Sequence, residues 1–505
     1  MNKTVKKEVE SSCEYILPDY MGDIKKILYS RARCMPGGKY VSGSDAEHNG
    51  VVEYEILYAD SDNRLSAVNA SSDYSVSVSN QDDALSDSYH MPRISSLAVR
   101  TTGPRKFNLK SNVTSRVVMT SDKEAVESVF EGVDADSVQK NTTSIKSEVY
   151  GLVGSTEYEI AEEWEHISGA QKDGVEIVFT SGEVRITDIH ATDRGAAVKG
   201  ELIVEVIKRV EDTPPYSSKR SFSFETSVEL GELPAEAKLF AKGVPSSLAV
   251  MTAEDGEDTV LSLNAIIEIN VFSAYNEELT VITDAYSLDT ETENTYSELE
   301  YTTLEDVENA EFHIDERIEN ATLGIGSVRD ILITGADVVC TTLVPQNRTA
   351  KIGGEITVSG VACEINEENG ISYVPFKHTF EFAHNVNINC QTTEKCILEC
   401  DACACVADAS IDGTSLYFKV TVNACVFASC KEKIAYLTNC RACEGTFLRP
   451  SRSRITVYYP DKEEKLFEIA KKHHTTTEKL CIDNSLTAET ALGTDIRLPK
   501  KLIIK

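Results

Sequence analysis

The stretch Gly200-Glu-Leu-Ile-Val-Glu-Val-Ile207 decides the fold, because the same glycine-led pattern occurs three times along the chain. The other two copies are Gly50-Val-Val-Glu-Tyr-Glu-Ile-Leu-Tyr58 and Gly354-Glu-Ile-Thr-Val-Ser-Gly-Val-Ala-Cys363. The leading glycines are 150 and 154 residues apart. Apolar residues are dense in these runs, and the alternation seen around them is typical of strands with one buried face. The sequence therefore predicts three copies of one β-rich unit.

The segments around each glycine recur in the same order. An apolar run precedes each glycine, at residues 27–34, 184–190 and 331–340, and a longer alternating run follows about 60 residues later, at 106–119, 260–272 and 416–427. We therefore predict a mainly β fold with three tandem β-sandwich-like domains at 14–125, 143–285 and 320–447. A period near 150 residues exceeds that of solenoid repeats, so the three domains are expected to be separate beads. Short helices are predicted at 17–28, 121–130 and 304–318, and a polar loop at 287–298.

The composition excludes some functions and leaves others open. The chain has 505 residues and a formal net charge of −32, which argues against a nucleic-acid partner because phosphate backbones bind basic surfaces. An acidic surface serves solubility in many proteins, although a basic protein partner would also fit. The sequence shows no signal peptide and no apolar window long enough for a transmembrane segment, so a cytoplasmic protein is expected.

The last segment, residues 454–505, has a different pattern. Residues 455–459 alternate like a short strand, and Leu466, Phe467, Ile469 and Ala470 have helical spacing. Thr475 and Glu478 have the spacing of a capping box at the start of a second helix, which Asn484 ends. Residues 496–498 are predicted to form a returning strand. The expected order is β-α-α-β.

This segment resembles the LysM module along its framework. The matching stretches are Leu466-Phe467-Glu468-Ile469-Ala470, Thr475-Thr476-Thr477-Glu478-Lys479-Leu480, Asn484, and Gly493-Thr494-Asp495-Ile496-Arg497-Leu498-Pro499. Where the family carries Gly-Asp-Thr in a turn beside its glycan groove, this chain has Glu463-Glu464-Lys465. The loss of the glycine removes backbone freedom at that turn, which favours a protein ligand over a glycan. The predicted partner-binding residues are Glu463, Glu464, Lys465, Leu466, Phe467, Ile469, Asn484 and Leu486.

Three β-domains followed by a LysM module resemble the SPOCS-domain sporulation proteins of spore-forming Firmicutes. The stretch Leu17-Pro18-Asp19-Tyr20-Met21-Gly22-Asp23-Ile24-Lys25-Lys26-Ile27-Leu28 is similar to the opening of such domains, and residues 50–58 are similar to their central strand. The resemblance implies a non-enzymatic scaffold in the mother-cell cytoplasm, at the forespore surface and spore coat. Its implied partner is the coat basement-layer ATPase SpoIVA or a similar coat protein. The alternative is a protein that binds peptidoglycan or another N-acetylglucosamine glycan.

The cysteines are unevenly distributed. There are 14, and all except Cys13 and Cys34 lie at or beyond Cys340. Two pairs, Cys400/Cys403 and Cys440/Cys443, have the Cys-x-x-Cys spacing of a tetrahedral zinc site. Two other interpretations stay open, namely inert buried side chains and oxidative cross-links. No cofactor other than this possible zinc is predicted.

Overall fold

The computed structural model describes residues 2–80, 84–121, 128–211, 213–256, 258–365, 370–389, 395–447, 455–461, 464–486 and 498–505. Most of them lie in β-strands, so the predicted mainly β class is confirmed. The chain divides into two compact units. Unit 1 comprises Met1–Asp122, Glu148–Asn276 and Leu304–Cys430, and unit 2 comprises Lys123–Ser147, Glu277–Thr303 and Lys431–Lys505. No helix in the described part of the chain is long and apolar enough to cross a membrane.

Eighteen of the strands form three successive sets of six. The first set, repeat 1, consists of β1 (Asn2–Ile16), β2 (Ile24–Ser42), β3 (Asp45–Asp60), β4 (Leu65–Ser79), β5 (Leu85–Gly103) and β6 (Lys106–Ser121). After the short strand β7 (Val129–Glu131), repeat 2 consists of β8 (Val138–Ile167), β9 (Val175–Thr192), β10 (Gly195–Val210), β11 (Tyr216–Glu229), β12 (Lys238–Asp255) and β13 (Asp258–Ser287). Repeat 3 consists of β14 (Thr290–Glu319), β15 (Val328–Gln346), β16 (Thr349–Ile365), β17 (Ile371–Asn387), β18 (Cys396–Asp412) and β19 (Ser415–Phe447), with the one-turn helix α1 (Asn320–Leu323) after β14.

All three repeats have the same sheet order. The second, third and fourth strands of each repeat form one three-stranded sheet. The first, sixth and fifth strands form a second sheet, which in repeat 3 also includes β7, paired with β19. Buried apolar residues from both sheets of a repeat pack together in one cluster, and this holds for each of the three repeats. Each repeat is therefore a two-sheet sandwich with its own core.

The glycines that lead the repeated pattern lie at equivalent places in the central strands β3, β10 and β16. Gly50 pairs with Pro36, Gly200 with Ile186, and Gly354 with Cys340, and each pairing lies next to a shift in register. A Cβ on Gly50 would lie 2.6 Å from the carbonyl oxygen of Met35, and one on Gly200 would lie 2.6 Å from that of Arg185. A Cβ on Gly354 would likewise clash with the backbone of β15. Glycine is required because the bulged neighbouring strand approaches too closely for a side chain.

The structure corrects the predictions for the segment before Leu323. Residues 290–319 form the continuous strand β14, which pairs with β19, instead of a loop at 287–298 followed by a helix at 304–318. Sheet pairing outweighs the weak local helical pattern there.

The helix predicted at 17–28 is also wrong, because β2 begins at Ile24. The helix predicted at 121–130 lies mostly outside the described residues. The first strands of repeats 1 and 3 begin well before the predicted domain starts at 14 and 320.

Within unit 1 the three sandwiches pack against each other. One apolar cluster contains Tyr29, Phe179 and Ile333, which lie 21 residues before the three glycines, together with Leu57, Ile207 and Val361, which lie 7 residues after them. A second cluster also takes buried residues from all three repeats, among them Tyr89, Phe272 and Phe427. The expectation of separate beads is therefore wrong. Equivalent positions meet in a shared core, so the repeats have an internal threefold relationship.

Candidate functional site

The C-terminal module, which we define as the described residues from Ile455 to Lys505, belongs to unit 2. Its described elements are β20 (Thr456–Tyr458), α2 (Leu466–Lys472), α3 (Thr477–Asn484) and β21 (Leu502–Ile504), and β20 pairs with β21 in antiparallel fashion. The chain thus follows a β-α-α-β order. Residues 496 and 497 of the predicted returning strand lie outside the described residues, and β21 begins after Pro499.

The helix starts follow from their caps. Lys465 precedes α2, and its backbone N–H donates to the Glu468 carboxylate at 3.4 Å. The second helix, α3, is capped by Thr476, whose Oγ1 accepts a hydrogen bond from the Lys479 backbone N–H at 3.0 Å. The predicted box of Thr475 and Glu478 is therefore displaced by one residue, because the hydroxyl that satisfies the free backbone donor belongs to Thr476.

Two of the predicted partner-binding residues lie in the interior of the module. Leu466 is 4% exposed and Ile469 is fully buried, and both pack with residues of α3 and β21. Leu486 packs against the same cluster from its edge. These side chains hold the module together, and a partner could not reach Ile469 without unfolding α2.

Asn484 is also a structural residue. Its side-chain nitrogen donates to the carbonyl oxygens of Leu480 at 2.9 Å and Ile503 at 2.7 Å, and its Oδ1 accepts from the Ile503 backbone N–H at 2.6 Å. One side chain therefore ends α3 and ties it to β21. Because all three of these bonds satisfy backbone groups, the loss of Asn484 would leave several of them without a partner.

The end of β13 packs on the module within unit 2. Tyr286, which is 2% exposed, belongs to the module's core cluster, and Leu288 packs at its edge. The Tyr286 hydroxyl donates to the carbonyl oxygen of Thr475 at 2.6 Å. Its ring meets Phe467 edge-to-face at 5.2 Å between centroids. Phe467, one of the predicted partner-binding residues, is thus partly covered by the Tyr286 ring. Residues 284–288 are called the β13 end below.

An ion pair accompanies this packing. Lys471 Nζ, on α2, lies 2.6 Å from Asp284 Oδ2 and 2.8 Å from Asp284 Oδ1. Asp284 also accepts from the Tyr296 hydroxyl at 2.8 Å. Burial raises the pKa of Tyr286, so its hydroxyl stays protonated and can donate to Thr475. The module is therefore fixed to the β13 end by an aromatic ring, a hydrogen bond and a charged pair.

Of the remaining predicted residues, Glu464 and Lys465 lie in the turn before α2. Glu464 accepts a hydrogen bond from the Tyr458 hydroxyl at 2.7 Å and one from the Asp461 backbone N–H at 3.3 Å. Lys465 is exposed, and Glu463 lies outside the described residues. The Glu464 carboxylate thus organises a turn that the resembling family builds with glycine.

Sequence reasoning missed the exposed apolar residues of the module. Ile455, Val457 and Tyr459 are 68%, 51% and 70% exposed, and Ile482 on α3 is 78% exposed. The first three lie two residues apart, so in an extended segment they share one face. We call Ile455, Val457 and Tyr459 the β20 face. The alternation that predicted the strand also contained this signal, because it placed three large apolar side chains together.

The first pair of cysteines proposed as zinc ligands lies on one strand. Cys400 and Cys403 belong to the uninterrupted strand β18, where Cys400 packs against the core of repeat 3 and Cys403 is exposed. Residues three apart on a strand face opposite sides. A zinc knuckle would have to interrupt the strand between the two cysteines, so the structure does not bring Cys400 and Cys403 together.

The second pair, Cys440 and Cys443, has the same difficulty. Both residues lie on the continuous strand β19, three positions apart, so their side chains also leave opposite faces. Cys440 is buried with Ala285 and Leu437 in a small cluster of unit 2, whereas Cys443 is half-buried. The structure therefore does not bring Cys440 and Cys443 together either. Across the described residues, no group of three or more His, Cys, Asp or Glu side chains is arranged to hold a metal ion, and zinc binding stays a prediction.

Comparison with known proteins gives no family assignment. No model of a protein family matches the chain, and no curated protein matches it significantly. The LysM and SPOCS resemblances thus rest on the residues quoted above.

Proposed function

We propose that this chain is a non-enzymatic sporulation scaffold of the SipL-like type, with SPOCS-like repeats and a LysM-like module. It would help to assemble or anchor the spore coat at the forespore surface, in the mother-cell cytoplasm. In this proposal the C-terminal module docks a coat morphogenetic protein, either the basement-layer ATPase SpoIVA or a similar coat protein.

The β20 face is the observation that carries the proposal. Large exposed apolar side chains that share one face are typical of surfaces that bind another protein. Tyr459, at 70% exposure, offers the kind of aromatic anchor on which binding energy is concentrated. The buried positions Leu466 and Ile469 would support this surface without contacting the partner.

The turn before α2 supports a protein ligand over a glycan. Glu464 is held by the Tyr458 hydroxyl and the Asp461 N–H, and the LysM resemblance implies that this turn is the one beside the family's glycan groove. The alternative is LysM-mediated binding of peptidoglycan or N-acetylglucosamine glycans. Tyr459 favours that alternative in one respect, because an exposed aromatic ring can stack on a sugar face.

Binding assays on the full chain separate the two functions. We expect the wild-type chain to bind purified SpoIVA, and Tyr459→Asp or Val457→Asp to weaken binding at least tenfold, because each places a charge in an apolar contact. Met251→Asp is the matched control, since Met251 is an equally exposed apolar residue, 54%, in repeat 2. Tight binding to peptidoglycan or chitin oligomers with no binding to the protein would contradict the proposal and establish the alternative.

A further inference from the structure

Repeat 3 contains two thiols that face each other across its sandwich. Cys340 lies on β15 and Cys400 on β18, which belong to the two different sheets of this repeat. Their Sγ atoms are 3.9 Å apart, and neither forms a disulfide. Both side chains pack against the repeat 3 core and are half-buried. The two cysteines are 60 residues apart in sequence, so only the fold brings them together.

The sandwich fold does not require a thiol at this position. Cys340 pairs with Gly354, and the equivalent partners of Gly50 and Gly200 are Pro36 and Ile186. In repeats 1 and 2, the residue that pairs with the leading glycine therefore has no sulfur atom. A cysteine that served only as a small apolar residue would need no second cysteine opposite it.

The geometry allows the two sulfur atoms to bond. A disulfide has sulfur atoms about 2.05 Å apart, so the thiols must approach by about 2 Å. Rotation about the two Cα–Cβ bonds supplies part of this movement. The register shift between Cys340 and Thr342 supplies a place where β15 can adjust, since a bulge interrupts the regular ladder.

We propose that Cys340 and Cys400 form a site of oxidative modification, at which a small-molecule disulfide converts the two thiols into a reversible cross-link between the sheets of repeat 3. One of the two thiolates attacks one sulfur of the small disulfide, which forms a mixed disulfide and releases one small thiolate. The other thiolate then attacks the protein sulfur of this mixed disulfide, which forms the cross-link and releases the second small thiolate. The protein gives up two protons and two electrons, and the small disulfide is reduced to two thiols.

Either thiol can react first with an external disulfide, because both are half-buried and the thiolate is the nucleophile. The other thiol then acts second, as the resolving thiol.

A neighbouring pair provides the competing outcome. The Sγ atoms of Cys403 and Cys405 are 3.7 Å apart on the same strand. Residues two apart on a strand are separated by about 6.6 Å between Cα atoms, at the upper end of the range for a disulfide. Cys405 is also only 4% exposed, which limits access by an external reagent. We therefore expect the Cys340–Cys400 pair to be oxidised first.

The test treats the reduced, folded full chain with oxidised glutathione and maps disulfides by mass spectrometry under non-reducing conditions. The expected result is a peptide that links Cys340 to Cys400, the loss of two titratable thiols, and full recovery of both with dithiothreitol. Cys400→Ser should trap glutathione on Cys340 and give no linked peptide, whereas Cys403→Ser should behave like the wild-type chain.

A stability measurement gives a second readout that does not depend on the mapping. Oxidation should raise the unfolding temperature of the wild-type chain, because the cross-link constrains the unfolded state. Cys340→Ala should fold like the wild-type chain and show no such rise. A Cys403–Cys405 linkage, cross-links between chains, or no loss of thiols at millimolar oxidised glutathione would each overturn the proposal.

Discussion

Repeat 2 and the C-terminal module bury their apolar residues in different ways. The core cluster of repeat 2 is drawn from both sheets of that repeat, and positions such as Leu202 and Ile267 are completely buried. The core cluster of the module contains short helices and three-residue strands, and it is completed by Tyr286 from the β13 end. A small module has too little interior of its own, so a side chain from another part of the sequence closes it.

This difference implies that the two regions respond separately to damage. A sandwich depends on the strands of its own repeat and on the clusters it shares with the other repeats, whereas the module depends also on Tyr286, Asp284 and Leu288. Four predictions, taken from the largest expected effect to the smallest, test how far the sandwiches and the module unfold independently.

The largest effect is expected from a carboxylate in either core. Ile469→Asp and Ile267→Asp each place a charge at a fully buried position, which costs about 3–5 kcal/mol. Ile469→Asp should abolish hydrogen-exchange protection in α2 and α3 and binding through the module, while the sandwiches stay protected. Ile267→Asp should destabilise repeat 2. Ile482→Asp, at an exposed position, is the control, and retained protection of α2 in Ile469→Asp would contradict the prediction.

The second largest effect is expected from acid, which should lower the folding stability of repeat 1. His48 and His90 stack at 4.5 Å between ring centroids, and burial lowers the pKa of both, that of His90 to about 4. Lys39 lowers the pKa of His48 further and Asp87 opposes it. Because the folded pKa lies below the unfolded value of 6.5, the unfolded chain binds more protons, so stability falls as the pH drops from about 6.5 to 4. The loss approaches about 3 kcal/mol.

Hydrogen exchange at several pH values would measure this loss. We expect protection in β3 and β5 to fall below pH 6.5 in the wild-type chain and to depend less on pH in His90→Phe. His190→Phe changes an exposed histidine and serves as the control. Equivalent positions in the other repeats, Val198 and Ile352, cannot titrate, so an equal loss of protection in all three repeats would exclude the histidine pair as the cause.

The β class and the three repeats were predictable because the alternation of apolar and polar residues indicates directly which side chains are buried. The same alternation does not indicate which part of the chain covers them. Tyr29, Phe179 and Ile333 lie in predictable apolar runs, but their meeting in one shared cluster depends on how the repeats pack, which no local pattern contains. For the same reason β14 was mistaken for a loop and a helix, since its partner β19 lies about 100 residues further along.

The candidate site was predictable only in its framework. The start of α2 at Leu466 and the end of α3 at Asn484 follow from spacing and caps. Leu466, Ile469 and Asn484 have structural roles that the partner-binding prediction did not include, because the positions that define a small module by sequence are those that build its core. The contact between Tyr286 and Thr475 joins residues 189 apart, so local spacing gives no signal for it.

Removal of the Tyr286 ring should open the module without disturbing the sandwiches. Tyr286→Ala loses the packing against Phe467 and the hydrogen bond to Thr475, and we expect it to destabilise the module by about 2–3 kcal/mol. Tyr286→Phe keeps the ring and should cost about 1 kcal/mol. Hydrogen exchange in α2 and α3 measures both values. Equal losses in the two variants would show that the ring contributes nothing.

The smallest effect is expected at the ion pair between Lys471 and Asp284. Their side chains are 36% and 23% exposed, so water screens the pair and its contribution should be below about 1 kcal/mol. Lys471→Met should reduce protection of α2 slightly at low salt and not at about 1 M salt, because salt screens the attraction. A double-mutant cycle with Asp284→Asn isolates the pair from the bond that Tyr296 donates to Asp284. A coupling energy above about 2 kcal/mol would mean that charge, and not the Tyr286 ring, holds the module on the β13 end.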